Sequence, residues 1–351
     1  MIPEKFNLPP FFIMRHKKRS ATIQDVAREA GVSVSTVSRV LNSKVDVASE
    51  TFEKVQGIIS ELGYASSLAA RGMRSSRTGV IGLIMPDVSS AYCVEVMRGV
   101  NQAIAKLDYD LIVYTTGDVR KYGTADQERR YVALLNGGIT DGVIVVTPAA
   151  TDFSTDAPVV AIDPNHESPD CPAIIATNRA GALAAMNYLT GLGHRRIGFI
   201  TGRLELVSAD QRLLGYKDGL AACGIDLDEE LIQVSDYTTE TAVACTRRLL
   251  ALENPPTAIF ASNDMSAIGV YQAAQEAGLR IPQNLSVIGF DNLRESAFLT
   301  PALTTIDQFI SGMGITAIEM VVKLVNGEPL EQNLIKVPTQ LVVRDSCFSL
   351  I

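Results

Sequence analysis

The chain has 351 residues, 47% of them hydrophobic and 20% charged, with a formal net charge of −8. That length exceeds one ordinary domain, and no apolar run approaches the ~18 residues of a membrane helix. Charge is uneven: residues 1–77 carry 12 Lys/Arg against 7 Asp/Glu, a net of +5, and the remainder 19 against 32, a net of −13. A basic end on an acidic body is expected of a chain that meets DNA through one end only.

Residues 1–21 read as a flexible basic arm, with Met14 as an alternative start. The stretch PPFFI is too short for a signal peptide and no small-residue cleavage site follows it. The five cysteines, Cys93, Cys171, Cys223, Cys245 and Cys347, form no CxxC pair. Such scattered cysteines read as free, mostly buried thiols in a reducing cytoplasm.

The segment 22–42, TIQDVAREAGVSVSTVSRVLN, predicts a helix-turn-helix. Thr22 and Asp25 form a capping box that starts a helix at Ile23. Ile23, Val26, Ala27 and Ala30 make its buried stripe. Gly31 ends it in a left-handed turn, and Ser33 caps the second helix. Val37, Val40 and Leu41 face inward there, leaving Val34, Ser35, Ser38, Arg39 and Asn42 outward. In this motif the start of the second helix meets base edges in the major groove. A third helix over 49–62 carries an expected apolar stripe of Phe52, Val55, Ile59 and Leu62, and Gly63 stops it.

Beyond a small, basic linker (66–77, SSLAARGMRSSR), strands and helices alternate. Strands are predicted at 79–87, 110–115, 142–147, 159–162, 174–177, 197–201, 231–234, 258–262 and 285–290. Helices are predicted at 92–107, 124–136, 180–192, 209–223, 240–252 and 265–277. This pattern implies parallel sheets covered by helices on both faces. Two comparable rounds point to two doubly wound subdomains.

Ligands of such sheets bind beyond the carboxyl ends of the strands. Asp163, Asn263, Asp264 and Asp291 sit at such ends, and Arg212 begins a helix after another. Carboxylates accept from hydroxyls, an amide does both and a guanidinium donates. That set suits a small polyhydroxylated ligand such as a sugar. Ser89, Ser90 and Tyr92, after the first strand, form the opposite lip. Capping or packing alone is the plainer alternative for each, above all for Asp264.

Together these stretches resemble the lactose/galactose-repressor family of bacterial transcription regulators. The likeness rests on the helix-turn-helix segment, Glu61-Leu62-Gly63-Tyr64, Arg77-Thr78-Gly79-Val80-Ile81-Gly82 and Leu192-Gly193-His194-Arg195-Arg196-Ile197. It continues through Ala261-Ser262-Asn263-Asp264, Ser286-Val287-Ile288-Gly289-Phe290-Asp291 and Pro301-Ala302-Leu303-Thr304-Thr305-Ile306, covering about 21–345. The resemblance implies a periplasmic-binding-protein-like core whose chain crosses between subdomains near 177, 307 and 337, with an effector cleft between the lobes. It places Asp163, Arg212, Asn263 and Asp291 at effector positions and Tyr237 where an aromatic often lies against the ligand.

The same likeness implies a homodimer on a pseudo-palindromic operator in double-stranded DNA. Val34, Ser35 and Arg39 are expected to choose bases, and Thr36, Ser38 and Asn42 to hold phosphates. Thr22, Ser33, Tyr64, Arg71 and Met73 complete the expected DNA contacts. Met73 falls where the family wedges a leucine into the minor groove. Ser66 and Ser67 depart from the family's frequent Pro-Asn, and Gly72 weakens helix formation, so 66–75 is expected to fold only on DNA.

Two rival readings are an NAD-dependent enzyme and a sugar-binding receptor without a DNA role. Gly312-Met313-Gly314-Ile315-Thr316-Ala317 matches G-x-G-x-x-A but lacks a following βαβ unit, so the glycines are expected to ease packing at a helix start. The three histidines are dispersed: His16 in the arm, His166 near the cleft without a nucleophile, and His194 as an expected helix C-terminal cap. No cofactor, metal site, catalytic set or membrane contact is expected.

Overall fold

The computed structural model describes residues 21–41, 47–64, 77–117, 124–136, 138–166 and 168–351. The chain divides into two units between Ser75 and Ser76.

In the first unit, α1 (Ile23–Ala30) opens with the capping box: the Thr22 hydroxyl accepts from the Asp25 amide, and the Asp25 carboxylate accepts from the Thr22 amide at 2.9 Å. Gly31 ends the helix at φ 67°, a left-handed conformation that costs a residue with a Cβ. The Ser33 hydroxyl accepts from the Thr36 amide at 3.1 Å and starts α2 (Val34–Leu41). The third helix, α3 (Ser49–Leu62), closes on the left-handed Gly63. Val26, Ala27, Ala30, Val37, Val40 and Val55 form the small core, with Ile23, Phe52, Ile58, Ile59 and Tyr64 packed on it. Leu62 departs from the expected stripe and is 39% exposed. At that end of α3 the apolar contacts with the core are made by Ile59 and Tyr64 instead.

The second unit holds two lobes. A six-stranded parallel sheet, ordered β11-β5-β4-β3-β1-β2, forms the first. Its strands are β1 (Val80–Met85), β2 (Asp110–Thr115), β3 (Gly142–Val146), β4 (Val159–Ile162), β5 (Ala173–Ala176) and β11 (Leu334–Val337). Helices α4 (Ala91–Ile104) and α10 (Ile310–Val325) bury one face against Ile81, Leu83, Ile144 and Ile162. On the other face, α5 (Thr124–Asn136) covers Ile84, Val143 and Val145 with Val132 and Leu135.

The second lobe has a parallel sheet ordered β7-β6-β8-β9, from β6 (Ile197–Ile200), β7 (Ile232–Gln233), β8 (Ala258–Ala261) and β9 (Ser286–Ile288). One face packs on α6 (Asn178–Gly191) and α7 (Val207–Ala222). The other packs on α8 (Thr239–Leu250) and α9 (Asp264–Glu276). Near-continuous apolar strands covered on both faces are the mark of parallel sheets.

Three connections join the lobes: after β5, after β10 (Thr305–Asp307) and between β11 and β12 (Gln340–Val342). The outer two are tied together, because the Thr177 amide donates to the Val337 carbonyl at 3.0 Å and the Thr339 amide to the Thr177 hydroxyl at 3.0 Å. β10 pairs antiparallel with β12.

Among the described residues, β10, β11, β12 and two short 3-10 helices (Glu229–Leu231 and Arg294–Ala297) lie beyond the alternation read from the sequence, and of α10 only a helix start is expected there. The G-x-G-x-x-A stretch lies within α10, which follows a strand of the antiparallel pair rather than opening a βαβ unit. Gly314 of this stretch, with Gly99 of α4, serves a close helix crossing, whereas a Cβ on Gly312 would meet nothing closer than Phe309 at 3.7 Å. A Cβ on Gly314 would fall 2.4 Å from the Val96 carbonyl oxygen, and one on Gly99 would overlap Ser311 outright. His194 caps α6 through its backbone amide, which donates to the Leu189 carbonyl at 3.2 Å after the left-handed Gly193. Its side chain is buried, with Nδ1 2.8 Å from the Thr257 hydroxyl and Nε2 3.1 Å from the Phe348 carbonyl, and so ties down the C-terminal segment. Burial holds its pKa below the usual histidine range. All five cysteines are free thiols. Among the described residues no helix is long and apolar enough to cross a membrane, and no cluster of His, Cys, Asp or Glu could hold a metal ion.

Candidate DNA-reading face and effector cleft

On α2 the outward residues divide by position. Val34 is 42% exposed, and Ser35 and Arg39 are exposed as well, while Thr36 and Ser38 are half-buried. Ser33 has a local duty: besides capping, its hydroxyl lies 2.7 Å from that of Ser35 and 2.8 Å from that of Thr36. The Thr22 hydroxyl donates to Asp25 at 2.7 Å. Those hydrogen bonds from Thr22, helped by Arg28, hold the Asp25 carboxyl down at about 2. Tyr64 packs on the headpiece core. Asn42, Arg71 and Met73, like the whole of 66–75, lie outside the described residues.

A cleft of about 920 Å³ opens between the lobes of the core. The first lobe lines it with Asp87, Ser89, Ser90, Tyr92, Thr147 and Asp163, the second with Ser208, Arg212, Asp236, Tyr237, Asn263 and Asp291. Of the residues expected at the ligand site, Ser89, Ser90, Tyr92, Asp163, Arg212, Tyr237, Asn263 and Asp291 therefore meet there. Asp264 does not: its carboxylate accepts from the Thr305 hydroxyl at the start of β10 and from the Leu293 amide, tying the two segments together.

Arg212 is fixed from three sides. Its Nε donates to Asn178 at 2.8 Å, one terminal nitrogen donates to the Ser262 carbonyl at 2.5 Å, and the guanidinium rides 3.8 Å from the centroid of the Phe290 ring. Gln308, on the connection after β10, donates to the Asp291 carboxylate at 2.5 Å. Burial pushes the Asp291 carboxyl up to about 7, against the pull of the Arg212 charge. Asn263 caps α9, accepting from the Ser266 amide at 2.9 Å, and donates to the Tyr237 carbonyl at 3.3 Å. The Ser89 hydroxyl is turned onto Asp87 at 2.8 Å.

Two features mark the cleft as a site for a polar ligand. The hydroxyls of Tyr92 and Tyr237, from opposite lobes, are buried and make no hydrogen bond within the protein, a costly state unless another molecule supplies the partner. Burial, then the Asp163 charge, raises the Tyr92 hydroxyl well above its usual pKa. The second feature is backbone strain. Thr147 (φ 47°), Asp163 (φ 49°), Tyr237 (φ 71°) and Asp291 (φ 112°) all adopt positive φ and all line this cleft. Such conformations gather where geometry is imposed by function. Asp87, Thr147 and Asp236, which follows β7, are open to the strand-end rule; Ser208 carries no comparable signal.

Residues 22–67 match the model described as bacterial regulatory proteins, lacI family, and residues 186–347 match a periplasmic binding protein-like domain. The chain is 33% identical over 333 residues to the HTH-type transcriptional repressor PurR of Vibrio atlanticus, covering 93% of this chain and 98% of that protein. The chain belongs to the lacI family. It is likewise 35% identical over 336 residues to the ribose operon repressor of Haemophilus influenzae, covering 94% and 99% of the two chains. The crystal structure of the lac repressor dimer bound to operator and the anti-inducer ONPF superposes with a TM-score of 0.83 at 26% identity, over 94% of this chain and all of that one. As a lacI-family protein, it is a DNA-binding transcription regulator under the control of a small molecule.

Proposed function

We propose that this lacI-family regulator is a cytoplasmic homodimeric repressor whose operator affinity is set by a sugar or sugar-like polyol held between the core lobes. The observation that carries the reading is the cleft itself, where the Asp163 and Asp291 carboxylates, Arg212, Asn263 and two unpartnered tyrosine hydroxyls converge. Carboxylates and amides that accept from hydroxyls, beside a guanidinium that donates, fit a ring carrying several hydroxyls. The working division is an arm at 1–21, a headpiece at 22–65, a linker at 66–77 and a core at 78–351. On the headpiece, Val34, Ser35 and Arg39 choose bases, and Thr36, Ser38 and Asn42 hold phosphates.

Control follows from differential affinity. The effector shifts DNA binding only by as much as it prefers one arrangement of the lobes over the other, about 1–3 kcal/mol in comparable systems. A thermal-shift screen of sugars, nucleosides and sugar phosphates on the full chain tests the assignment, since only a ligand of the native state raises the midpoint. A sugar that raises it and also changes operator retention in a gel supports the reading. A hit confined to nucleosides overturns the effector class.

A further inference from the structure

Asn165 follows β4 in the first lobe, just beyond Asp163. Its backbone amide donates to the Pro148 carbonyl at 3.0 Å, which fixes it to the loop after β3. Its side chain reaches the other lobe. There the amide nitrogen donates to the Glu205 carbonyl at 3.0 Å, and the amide oxygen accepts from the Val207 backbone N–H at 2.8 Å.

Val207 is the first residue of α7, the helix that carries Arg212. The first amides of a helix have no partner inside it, and a Ser, Thr, Asp or Asn at the N-cap ordinarily supplies one. Here the N-cap is Leu206, whose side chain cannot accept a hydrogen bond. The helix start therefore draws its cap from the opposite lobe. One planar amide makes two backbone hydrogen bonds, one as donor and one as acceptor, as a paired strand would. Leu293 of the second lobe also sits within the apolar cluster of the first, a second contact between the lobes.

We infer that Asn165 is a cross-lobe latch: it caps α7 in trans only when the lobes are closed, and so sets the balance between closed and open cores. A residue that holds one conformer shifts the population whatever the effector is. The inference rests on the contact between lobes and not on the ligand being a sugar.

Hydrogen exchange on the full-length, effector-free protein tests it, using Asn165→Ala, Asn165→Ala with Leu206→Ser, and Leu206→Ser alone. Asn165→Ala is expected to speed exchange about tenfold at the start of α7. It is expected to do the same at distant cleft segments, 87–93 and 291–293, because they lose cover when the lobes part. Leu206→Ser gives α7 a cap of its own. A serine N-cap accepts from the second or third helical amide, so in the double variant protection returns at Ser208 and Ala209, while Val207, 87–93 and 291–293 stay fast. Wild-type exchange at those distant segments in Asn165→Ala would reduce Asn165 to a local helix cap. Full recovery of them in the double variant would do the same. Asn165→Asp, which keeps the acceptor for Val207 and loses the donor to Glu205, is expected to fall between wild type and alanine. Indistinguishable exchange in wild type and both Asn165 variants overturns the latch.

Discussion

The guanidinium of Arg212 stands 3.5 Å from the carboxylate of Asp291, and both side chains are almost wholly buried. The two differ in what else they do. Arg212 is bound into the lobe through Asn178, Ser262 and Phe290, whereas Asp291 has Gln308 as its other partner. Removing Arg212 strands a buried carboxylate and two polar partners, which costs about 3–5 kcal/mol. Arg212→Ala is therefore expected to lower the Tm sharply, and its loss of effector response says little about binding. Asp291→Asn keeps the shape and removes the charge. It is expected to weaken effector binding at least about tenfold, the loss of one charge-assisted hydrogen bond, and to leave operator binding by the effector-free protein intact. Unchanged affinity by calorimetry in Asp291→Asn would remove this residue from the site.

Asp291 also makes a pH signature. Its carboxyl sits at about 7 in the folded core and near ~3.9 when unfolded. Between those values the native state holds a proton that the unfolded chain has lost, so the stability this group contributes falls as pH rises from about 4 to about 7 and is gone above it. Set against Asp291→Asn, the wild-type core is expected to lose Tm from pH 5 to about pH 7 and to level off above that. Effector binding runs the other way. Hydroxyls donate to the ionised carboxylate, so affinity rises with pH through about 7 in wild type and stays flat in the asparagine variant. Wild-type affinity that falls over this range contradicts the proposed hydroxyl contact.

The close crossing of α4 and α10 predicts a stability defect far from the cleft. Gly99→Ala would drive its Cβ into the Ser311 backbone, and Gly314→Ala would place one 2.4 Å from the Val96 carbonyl oxygen. Backbone cannot step aside as a flexible side chain does, so the helices must separate. Each substitution is expected to cost about 1–3 kcal/mol or more, read by urea denaturation. A loss below about 0.5 kcal/mol in either variant would show that the crossing has room.

Much of this architecture is legible in the sequence for identifiable reasons. The apolar strand runs and the capping signals around Thr22, Gly31 and Gly63 are local, and α3, β2, α5 and β4 have the bounds the pattern predicts. The strand-end rule finds most of the cleft because a parallel sheet sends all its carboxyl ends one way. What is not legible depends on distant partners. β3 stops at Val146, one residue early, because Thr147 turns left-handed to face the cleft. Only the start of α10 is legible, because Gly312 and Gly314 weaken its helical signal, while the reason for Gly314, the crossing with α4, lies about 200 residues away in the chain. Nothing near Asn165 announces that it caps a helix 42 positions onward.

Tyr92 offers a test in which stability and binding move in opposite directions. Its hydroxyl is buried without a hydrogen bond in the protein, and an unsatisfied buried polar group costs about 1–3 kcal/mol. Tyr92→Phe is expected to leave the effector-free Tm unchanged or raise it, and to weaken effector binding several-fold. A fall in Tm with unaltered affinity would mean that the hydroxyl serves the fold instead.

The proposed role of Arg39 in reading DNA can be tested directly. Arg39 lies exposed near the end of α2, on the side that also presents Val34 and Ser35. A guanidinium that grips the O6 and N7 of a guanine discriminates that base by about 1–3 kcal/mol, whereas one on a phosphate adds affinity to any sequence. With Arg39 as a base contact, Arg39→Ala weakens operator binding by that amount, leaves binding to random DNA nearly unchanged and relaxes preference at one position in each half-site. The salt dependence should also stay close to wild type, because no phosphate contact is lost. Competition binding against operators substituted at single positions, repeated at two salt concentrations, separates the cases. Equal loss on operator and random DNA, with a shallower salt slope, would make Arg39 a phosphate contact and leave sequence choice to Val34 and Ser35.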